Sequence, residues 1–550
     1  MAQLEIIYFA IIRFVLPCIA VLILSIGLKS IFHKLKRKTL ARFAVESYRD
    51  VVEIKSAESI IGSGKLCDVR LKSDSVQKQH AVLQLTDHGF KITPVNRENK
   101  VFVNNYLVED EAYLESGDKI RIGSTVLQIA VNPAINRAAT VKADKSARQC
   151  RICSTILLTV FQLLCCISYV LHSPETAIKT VAVFGAMVLF QWIYLPIRGF
   201  GTDVGVEIVA FFLTTVGFCL SAGVDPDSIV KKAAFFACGM VLFLIMSALL
   251  SHWEAVEKLQ VPAAVFGLLL LAVNIIFGKA IFGSQNWIII GDVFSFQPSE
   301  FVKVIMVFIS ACALDKMLQI KSITSFIAFV FICLLALAYI RDFGTAAIYF
   351  VTMLIILCLR MCDIKIVAAL SAAAVLGSTV IIKLMPYVSA RFSTYRHAWE
   401  YASSGGFQQT RTMVAIASGG LFGLGPANGN LKYIPAADTD LVFGMIAEEF
   451  GLIFAICTVL CFVLMVIYAA ICIPRTQSVY YAVTGGAVTC IFLLQASLNL
   501  FGSVDLLPLT GVTMPFISNG GSSILSSWML LAFLKVDGAK IVTLGTKGGR

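Results

Sequence analysis

Two charged side chains in an otherwise apolar stretch form the first candidate site. Glu300 and Lys303 are three residues apart and follow closely after Pro298. Proline suits the first turn of a helix, and the spacing puts both charges on one helix face. Charges within an apolar span are expensive and are functional candidates by default. An internal ion pair that only holds helices together explains the same spacing, so that alternative stays open.

A second candidate site lies in the polar stretch 387–440. It contains several cations, many glycines and the neighbouring carboxylates Asp438 and Asp440. Arginines such as Arg391 suit phosphate oxygens, and a carboxylate can act as a general base. These residue types suit an anionic, lipid-linked ligand. A solvated loop without chemistry is the alternative that composition alone leaves open.

Two shorter motifs are weaker signals. Arg341-Asp342-Phe343-Gly344-Thr345 stands at the edge of an apolar span, where Arg and Asp are usually interfacial anchors. The stretch 506–523 is rich in small residues, which permit close approach of helices or a substrate and also fit a transporter with broken helices. Cys150 and Cys153 form a lone CxxC without a partner pair, so we predict no protein metal site.

The composition shows what kind of chain must position these residues. Of 550 residues, 58% are hydrophobic and 14% are charged. These values exclude a single soluble enzyme and a disordered chain, and they indicate a polytopic helical membrane protein. The net charge of +11 suits cytoplasmic loops, so no nucleic-acid partner is expected. The 16 cysteines lie mostly in apolar runs and imply no disulfides.

Hydropathy and charge divide the chain into five parts. An uncleaved transmembrane anchor (1–32) and a basic cytoplasmic linker (33–49) precede short alternating stretches that predict a β-sandwich (50–132). A second basic linker (133–152) leads to a multi-pass domain (153–540) with twelve candidate spans, thirteen with the anchor. One of the twelve is a single long span at 441–470. Loop charge places the sandwich in the cytoplasm and 278–300, 387–440 and 503–518 on the outer face. Lys231 and Lys232 fall outside, against the positive-inside rule.

Over about residues 270–535 the motifs resemble the SEDS family of bacterial shape, elongation, division and sporulation proteins, which includes FtsW and RodA. The matching strings, in family order, are Gln297-Pro298-Ser299-Glu300, Asp342-Phe343-Gly344-Thr345, Ser418-Gly419-Gly420-Leu421-Phe422-Gly423, Thr439-Asp440, Glu448-Glu449-Phe450-Gly451 and Pro515-Phe516-Ile517-Ser518 with Gly520-Gly521-Ser522-Ser523. The resemblance implies a SEDS fold and a peptidoglycan glycosyltransferase. Such enzymes polymerise lipid II, a disaccharide-pentapeptide on undecaprenyl pyrophosphate, at the outer face of the bacterial cytoplasmic membrane.

The resemblance also implies roles for individual residues. Asp440 aligns with the essential aspartate, which acts as the base for the acceptor sugar hydroxyl, with inversion at the donor carbon. The remaining substrate or cavity residues are Glu300, Lys303, Arg341, Asp342, Arg391, Ser418, Gly419, Gly420, Lys432, Glu449 and Ser522. A class B penicillin-binding protein, which cross-links the glycan, is the implied partner. A divalent cation, Mg²⁺ or Mn²⁺, could share the pyrophosphate.

Several positions depart from the family pattern. The family has Pro-Glu-x-His before Thr-Asp, whereas this chain has Pro435-Ala436-Ala437-Asp438. Arg411 replaces a glutamine, Arg341 a proline and Asn519 an aromatic residue. These departures leave open a catalytically silent scaffold that recruits partners through the FHA-like domain. A flippase for lipid-linked precursors, which needs only a large polar cavity in the membrane, is the other alternative. Clustering of the charges near the outer face favours the enzyme, because a flippase would carry charges along its path.

The sandwich resembles a forkhead-associated (FHA) domain through Ile61-Gly62, Asp68-Val69-Arg70-Leu71, His80-Ala81 and Gly117-Asp118-Lys119-Ile120. Such domains bind phosphothreonine peptides, mainly through an arginine and a serine. Ser63 and Gln77 stand at those positions, so the main cation for a phosphate is missing. The peptide surface comprises Ser63, Lys65, Arg70, Gln77, Lys78 and Asn104. A cytoplasmic protein partner that docks independently of phosphate is the alternative, and we expect His80 to be structural.

Overall fold

The architecture is taken from a computed structural model of the chain. It describes residues 2–540 except 34–40, 46–49, 55–57, 64–66, 68, 72, 74, 87–88, 97, 132–144, 200–204, 226, 251–252, 282–283, 291–293, 316–319, 362–363, 385 and 473–478. The described residues form an inserted β-sandwich and a large helical domain. This confirms the predicted polytopic helical fold with a sandwich near the N-terminus.

The sandwich consists of two sheets that bury one face of each strand. One has the order β2-β1-β11-β10-β7-β8, and the other has the order β4-β3-β5-β6-β9. The strands are β1 (Ala41–Val45), β2 (Asp50–Ile54), β3 (Glu58–Gly62), β4 (Val69–Arg70), β5 (Ala81–Thr86), β6 (Gly89–Pro94), β7 (Val101–Val103), β8 (Tyr106–Val108), β9 (Ala112–Leu114), β10 (Lys119–Ile122) and β11 (Thr125–Val131). In β5 every second residue is buried, as the period of a strand requires.

Strand β1 corrects the predicted boundary of the sandwich. It lies within 33–49, which we predicted to be a basic linker, and pairs with β11 from Ala41↔Val131 to Val45↔Leu127. Ala41 and Phe43 are completely buried on the inner face, while Arg42 alternates outward. Residues 34–40 and 46–49 of that linker and residues 133–144 of the second lie outside the described residues.

The helical domain is built mainly from long helices. They are α1 (Ala2–His33), α2 (Lys145–His172), α3 (Ala177–Gly199), α4 (Gly205–Val224), α5 (Ser228–Leu250), α6 (Trp253–Phe277), α7 (Pro298–Asp315), α8 (Ile320–Tyr339), α9 (Phe343–Met361), α10 (Ile364–Leu384), α11 (Pro386–Thr394), α12 (Phe407–Gly419), α13 (Ala437–Asp440), α14 (Val442–Phe450), α15 (Leu452–Cys472), α16 (Val479–Ser503) and α17 (Gly521–Lys540). Helix α2 begins eight residues before the predicted domain start at 153.

Each of the thirteen predicted spans coincides with helical structure. Among the described residues, eight helices are long and apolar enough to cross a membrane, and four apolar helices are shorter. The predicted span 441–470 is broken into α14 and α15 at Gly451. Gly451 has φ +90°, and a Cβ there would lie 2.4 Å from the Leu421 carbonyl oxygen, so the chain turns where it passes another backbone.

The core beside the site is aromatic. Trp528 of α17 is completely buried, and its ring centroid lies 5.3 to 5.9 Å from the rings of Phe211, Phe236, Phe243 and Phe516. Edge-to-face and tilted contacts at these distances are favourable. The cluster joins α4, α5 and α17, and through Phe516 it fixes the turn that precedes α17.

A small antiparallel sheet interrupts the helices between α6 and α7. Its strands are β12 (Lys279–Ile281), β13 (Ser284–Ile290) and β14 (Phe294–Phe296). The backbone N–H of Gln285 donates to the carbonyl of Ile340, at 2.9 Å, and so ties the sheet to the segment between α8 and α9.

Candidate active site

A cavity of about 1330 Å³ brings several of the predicted residues together. Arg341, Asp342, Arg391 and Asp440 all line it. Much of the remaining wall is apolar and comes from α8, α9 and α10, while β13 and β14 contribute polar side chains and Trp287. A pocket with a long apolar wall and a few convergent charges suits an amphipathic anionic ligand.

Asp440 ends the short helix α13, and the backbone before it is in an uncommon conformation. Ala436 has φ +59°, and its carbonyl accepts from the Asp440 N–H at 2.9 Å. The Asn499 side-chain amide donates to the carbonyl of Asp440, at 3.1 Å, and to that of Val512, at 2.9 Å. These bonds hold the carboxylate-bearing turn from the side of α16.

The environment of Asp440 raises the pKa of its carboxyl group. Burial raises the pKa of Asp440 from 3.8 to about 6; the side-chain hydrogen bond with Thr439 and the charge of Arg391 oppose the rise, and the charge of Asp438 adds to it. A carboxylate with a pKa near the working pH accepts protons more effectively than an ordinary aspartate. The site can therefore supply a general base.

Two arginines line the same cavity. Arg391 on α11 is half-buried, and its Nη1 donates to the Leu509 carbonyl at 2.9 Å. Arg341, in the segment between α8 and α9, is exposed and has φ +62°. Guanidinium groups that line the same cavity as a carboxylate can hold the oxygens of a phosphate ester.

Asp342 is a buried acceptor at the polar edge of the cavity. It accepts from the Thr345 N–H at 3.1 Å, and from the side-chain amides of Asn286 and Gln297, each at 3.4 Å. The first bond caps α9, and the other two connect the carboxylate to β13 and to the start of α7. Asp342 therefore holds together three elements of the cavity wall.

Glu300 and Lys303 form the predicted ion pair, at 2.7 Å. The hydroxyl of Ser526 also donates to Glu300. Neither charge is among the lining residues of the cavity, and Ser522 is not either. Ser522 instead contacts a residue of the cavity wall. Its hydroxyl accepts from the backbone N–H of Gln297, which lines the cavity, at 3.0 Å.

The other predicted cavity residues lie in a different cluster, between α12 and α14. These residues, which are not among those lining the cavity, are Ser418, Gly419, Gly420, Lys432 and Glu449. Glu449 accepts from the Ala427 N–H at 2.9 Å and from the Tyr169 hydroxyl at 3.2 Å, and Lys432 donates to the Ala427 carbonyl at 2.9 Å. These hydrogen bonds hold the loop that leads to Asp440.

Gly419 allows the helices of this cluster to touch. A Cβ at Gly419 would lie 2.2 Å from the Ala447 carbonyl oxygen. The glycine pattern that predicted a ligand site thus serves close packing of α12 on α14.

Sequence reasoning gave no site role to Lys232, Asn499 or Ser518. Lys232 is buried, and its Nζ donates to the carbonyls of Gly217 and Ile517, each at 2.7 Å. Its conflict with the positive-inside rule was the one signal in the sequence that could have found it.

The FHA surface residues are only partly described. Gln77 and Lys78 are exposed, and the Ser63 N–H donates to the Gln77 carbonyl at 2.9 Å. Asn104 is bonded to Asp118, at 2.8 Å, and to the Lys119 N–H, at 3.0 Å, so it stabilises a turn. Lys65 and the side chain of Arg70 lie outside the described residues.

His80 is buried between loops of the sandwich. Its Nδ1 accepts from the Gln77 N–H at 3.2 Å, and its Nε2 lies 3.3 Å from the Lys100 carbonyl oxygen. Burial lowers the pKa of His80, although the Lys100 carbonyl opposes this. These contacts agree with the structural role that we predicted.

Comparison with known proteins decides the family. The FtsW/RodA/SpoVE model, described as "cell cycle protein", matches residues 205–537. The chain belongs to this family. An FHA-domain model matches residues 59–123, so the FtsW/RodA/SpoVE core follows an FHA domain. Helices α1, α2 and α3 also precede the core.

Relatives within the family are similar over more than half of the chain. Stage V sporulation protein E of Bacillus subtilis is 29% identical over 60% of this chain and 94% of its own length. A probable peptidoglycan glycosyltransferase FtsW of the same bacterium is 31% identical over 55% and 79%. A chain of a peptidoglycan synthase complex shares the fold, with a TM-score of 0.53 and 22% identity over 62% of this chain and 98% of its own.

Proposed function

We propose that the chain is a peptidoglycan glycosyltransferase that polymerises lipid II at the outer face of the cytoplasmic membrane during cell division or elongation. The observation that carries the proposal is Asp440, a carboxylate with a pKa of about 6 at the wall of a large, mainly apolar cavity. The apolar wall suits a polyprenyl chain, and the arginines suit its pyrophosphate.

The reaction needs one base and one stabilised leaving group. Asp440 accepts the proton of the acceptor sugar 4-hydroxyl while that oxygen attacks the donor anomeric carbon. The bond between this carbon and the pyrophosphate oxygen breaks, the configuration inverts, and the electron pair leaves with the pyrophosphate. Arg391 and Arg341 stabilise the charge that develops there. Asp342 and Gln297 keep the polar wall in place.

A divalent cation, Mg²⁺ or Mn²⁺, is proposed only as an ion that binds together with the pyrophosphate of the substrate. Asp438 and Asp440 offer the hard oxygen ligands that such ions take. The described residues include no cluster of three or more His, Cys, Asp or Glu side chains that could hold a metal alone. No step above depends on the ion.

The proposal includes the side of the membrane on which each part of the chain lies and the proteins that it binds. The basic residues that flank the FHA domain support a cytoplasmic position for it and an outer position for Asp440. A class B penicillin-binding protein is the proposed partner outside, because the similar solved chain comes from a complex that combines polymerisation with crosslinking. Inside, the FHA domain is proposed to dock a cytoplasmic protein.

The test is polymerisation of labelled lipid II by the full chain together with a candidate class B partner. D440N replaces the base with an amide of the same shape. E400Q is the matched control, because Glu400 is an exposed outer-loop carboxylate that is not among the residues lining the cavity. We expect glycan from the wild type and E400Q, and none from D440N.

Other outcomes separate the alternatives. Equal polymer from D440N would remove Asp440 as the base. If no variant made polymer, lipid II translocation in vesicles would be measured next: transport would favour the flippase, and its absence would favour the scaffold.

A further inference from the structure

The polar end of the cavity carries a connected patch of hydrogen-bonding side chains. The Ser284 hydroxyl donates to the side-chain carbonyl of Asn286 at 3.1 Å. Asp342 accepts from the side-chain amides of Asn286 and Gln297, each at 3.4 Å. All four residues line the cavity, so the patch presents two amides, a carboxylate and a hydroxyl to a ligand.

Two further hydrogen bonds fix the patch. Asp342 accepts from the Thr345 N–H at 3.1 Å, and the backbone N–H of Gln297 donates to the Ser522 hydroxyl at 3.0 Å. Asp342 and Gln297 are also buried. A primary amide has two N–H donors and one carbonyl acceptor, so one bond to Asp342 does not exhaust the capacity of either amide. The patch is therefore oriented by the protein and still able to bind.

The patch lies close to the proposed base. A Cβ at Gly344, two residues after Asp342, would lie 3.1 Å from the Thr510 carbonyl oxygen. A Cβ at Gly511, the next residue, would lie 3.5 Å from Oδ2 of Asp440. One segment of backbone therefore contacts both the start of α9 and the carboxylate, and the patch and Asp440 border the same space.

The two kinds of wall in this cavity suit different parts of a ligand. The apolar wall from α8, α9 and α10 suits a hydrocarbon chain, which makes no hydrogen bonds. Amides and a carboxylate suit the hydroxyl and N-acetyl groups of a sugar, which both donate and accept. A ligand without such groups would displace water from the patch and leave its polar atoms unpaired, at a cost in affinity.

We propose that Asn286 and Gln297, oriented by Asp342, bind the sugar part of the lipid-linked substrate through its hydroxyl and N-acetyl groups. The inference rests on the proposed function, because it assigns one part of the cavity to one part of lipid II. The sugar carries the carbon at which the reaction occurs, so its binding at the patch places that carbon near Asp440. Asp342 is a positioning residue for the two amides.

The test compares three ligands that share a lipid and a pyrophosphate. Lipid II carries a disaccharide and a pentapeptide, the second ligand carries the disaccharide without the peptide, and undecaprenyl pyrophosphate carries neither. Each is labelled on its lipid, and its affinity for the full chain in detergent is measured by fluorescence anisotropy. N286L keeps nearly the same shape and removes the amide. We expect it to weaken both sugar-bearing ligands about tenfold and to leave undecaprenyl pyrophosphate unchanged.

Two further variants complete the set. Q297L should give the same pattern as N286L, because it removes the second amide that Asp342 orients. N428L is the matched control, because Asn428 is exposed and is not among the residues lining the cavity. It should bind all three ligands as the wild type does. Unchanged binding of undecaprenyl pyrophosphate also shows that each variant keeps a folded cavity.

Equal losses for all three ligands in N286L and Q297L would overturn the inference, and so would unchanged affinities. A loss confined to lipid II would also overturn it, because the patch would then bind the pentapeptide. If the wild type made no glycan while N286L and Q297L weakened only the sugar-bearing ligands, the proposed polymerase would fail and the sugar site would stand.

Discussion

The Oε2 atom of Glu300 lies 2.7 Å from the Nζ atom of Lys303, and both side chains are almost fully buried. The Ser526 hydroxyl donates to the same carboxylate. Since a buried charge without its partner is far less stable than a pair, the two residues act as a unit within α7. The pair stabilises the helix that directly follows Gln297, one of the cavity residues.

K303M should lower the free energy of unfolding by about 3–5 kcal/mol, because it leaves Glu300 buried and unpaired. The double variant E300Q/K303M should be more stable than K303M, since it removes both charges. Thermal unfolding in detergent, with the single E300Q completing the cycle, measures the coupling. Additive losses would show that the pair is not coupled.

Activity should fall as the pH drops below about 6. Burial raises the pKa of Asp440 from 3.8 to about 6, and only the ionised carboxylate accepts a proton. The rate should therefore fall about tenfold for each further unit of pH. For stability the sign is opposite: because the folded pKa is the higher one, this group's favourable contribution is full below 3.8 and is lost as pH rises through about 6.

A pH–rate profile from 5 to 8 tests the predicted loss of activity. Unfolding of the wild type and D440N over the same range tests the predicted change in stability. An acid limb centred near 4 would indicate that Asp440 is not the titrating base.

G419A should destabilise the helical domain. The new Cβ would lie 2.2 Å from the Ala447 carbonyl oxygen, so α12 must move away from α14, at roughly 1–3 kcal/mol. G185A is the matched control, because a Cβ at Gly185 of α3 meets nothing within 4 Å. Melting temperatures of the two variants in detergent decide the point, and equal values would contradict close packing at Gly419.

Phosphorylation should add little to peptide binding by the FHA domain. In the resemblance to FHA domains, Ser63 takes the position of the phosphate-binding arginine, so we predict that the main cation for the phosphate is missing. Arrays of threonine and phosphothreonine peptides, probed with the full chain, should bind alike, whereas S63R should prefer the phosphopeptides. A strong preference in the wild type would assign the phosphate to Lys65, Arg70 or Lys78.

The long elements could be predicted because their signal is local. Every predicted span coincides with helical structure, since an apolar run of this length identifies a span on its own. Strand β1 was missed because Arg42 and its basic neighbours resemble a linker, although Ala41 and Phe43 face inward. The break at Gly451 was missed because it depends on a backbone contact with Leu421, thirty positions earlier.

The candidate site was predictable in part. Arg341, Asp342, Arg391 and Asp440 were expected to act together, and they line one cavity. Asn499 and Ser518 are 59 and 79 positions from the residues that they fix, so sequence spacing does not reveal their contacts. The catalytic roles of all these residues stay predictions.

The pairing of β1 with β11 has a mechanical consequence. Ala41 and Val131 are directly opposite in neighbouring antiparallel strands, so the polypeptide enters and leaves the FHA domain at almost the same point. On either side of the domain, α1 and α2 pack against one another, and Tyr169 of α2 reaches Glu449. The two ends of the domain are thus adjacent, and the helices that come before and after it in the chain contact one another directly.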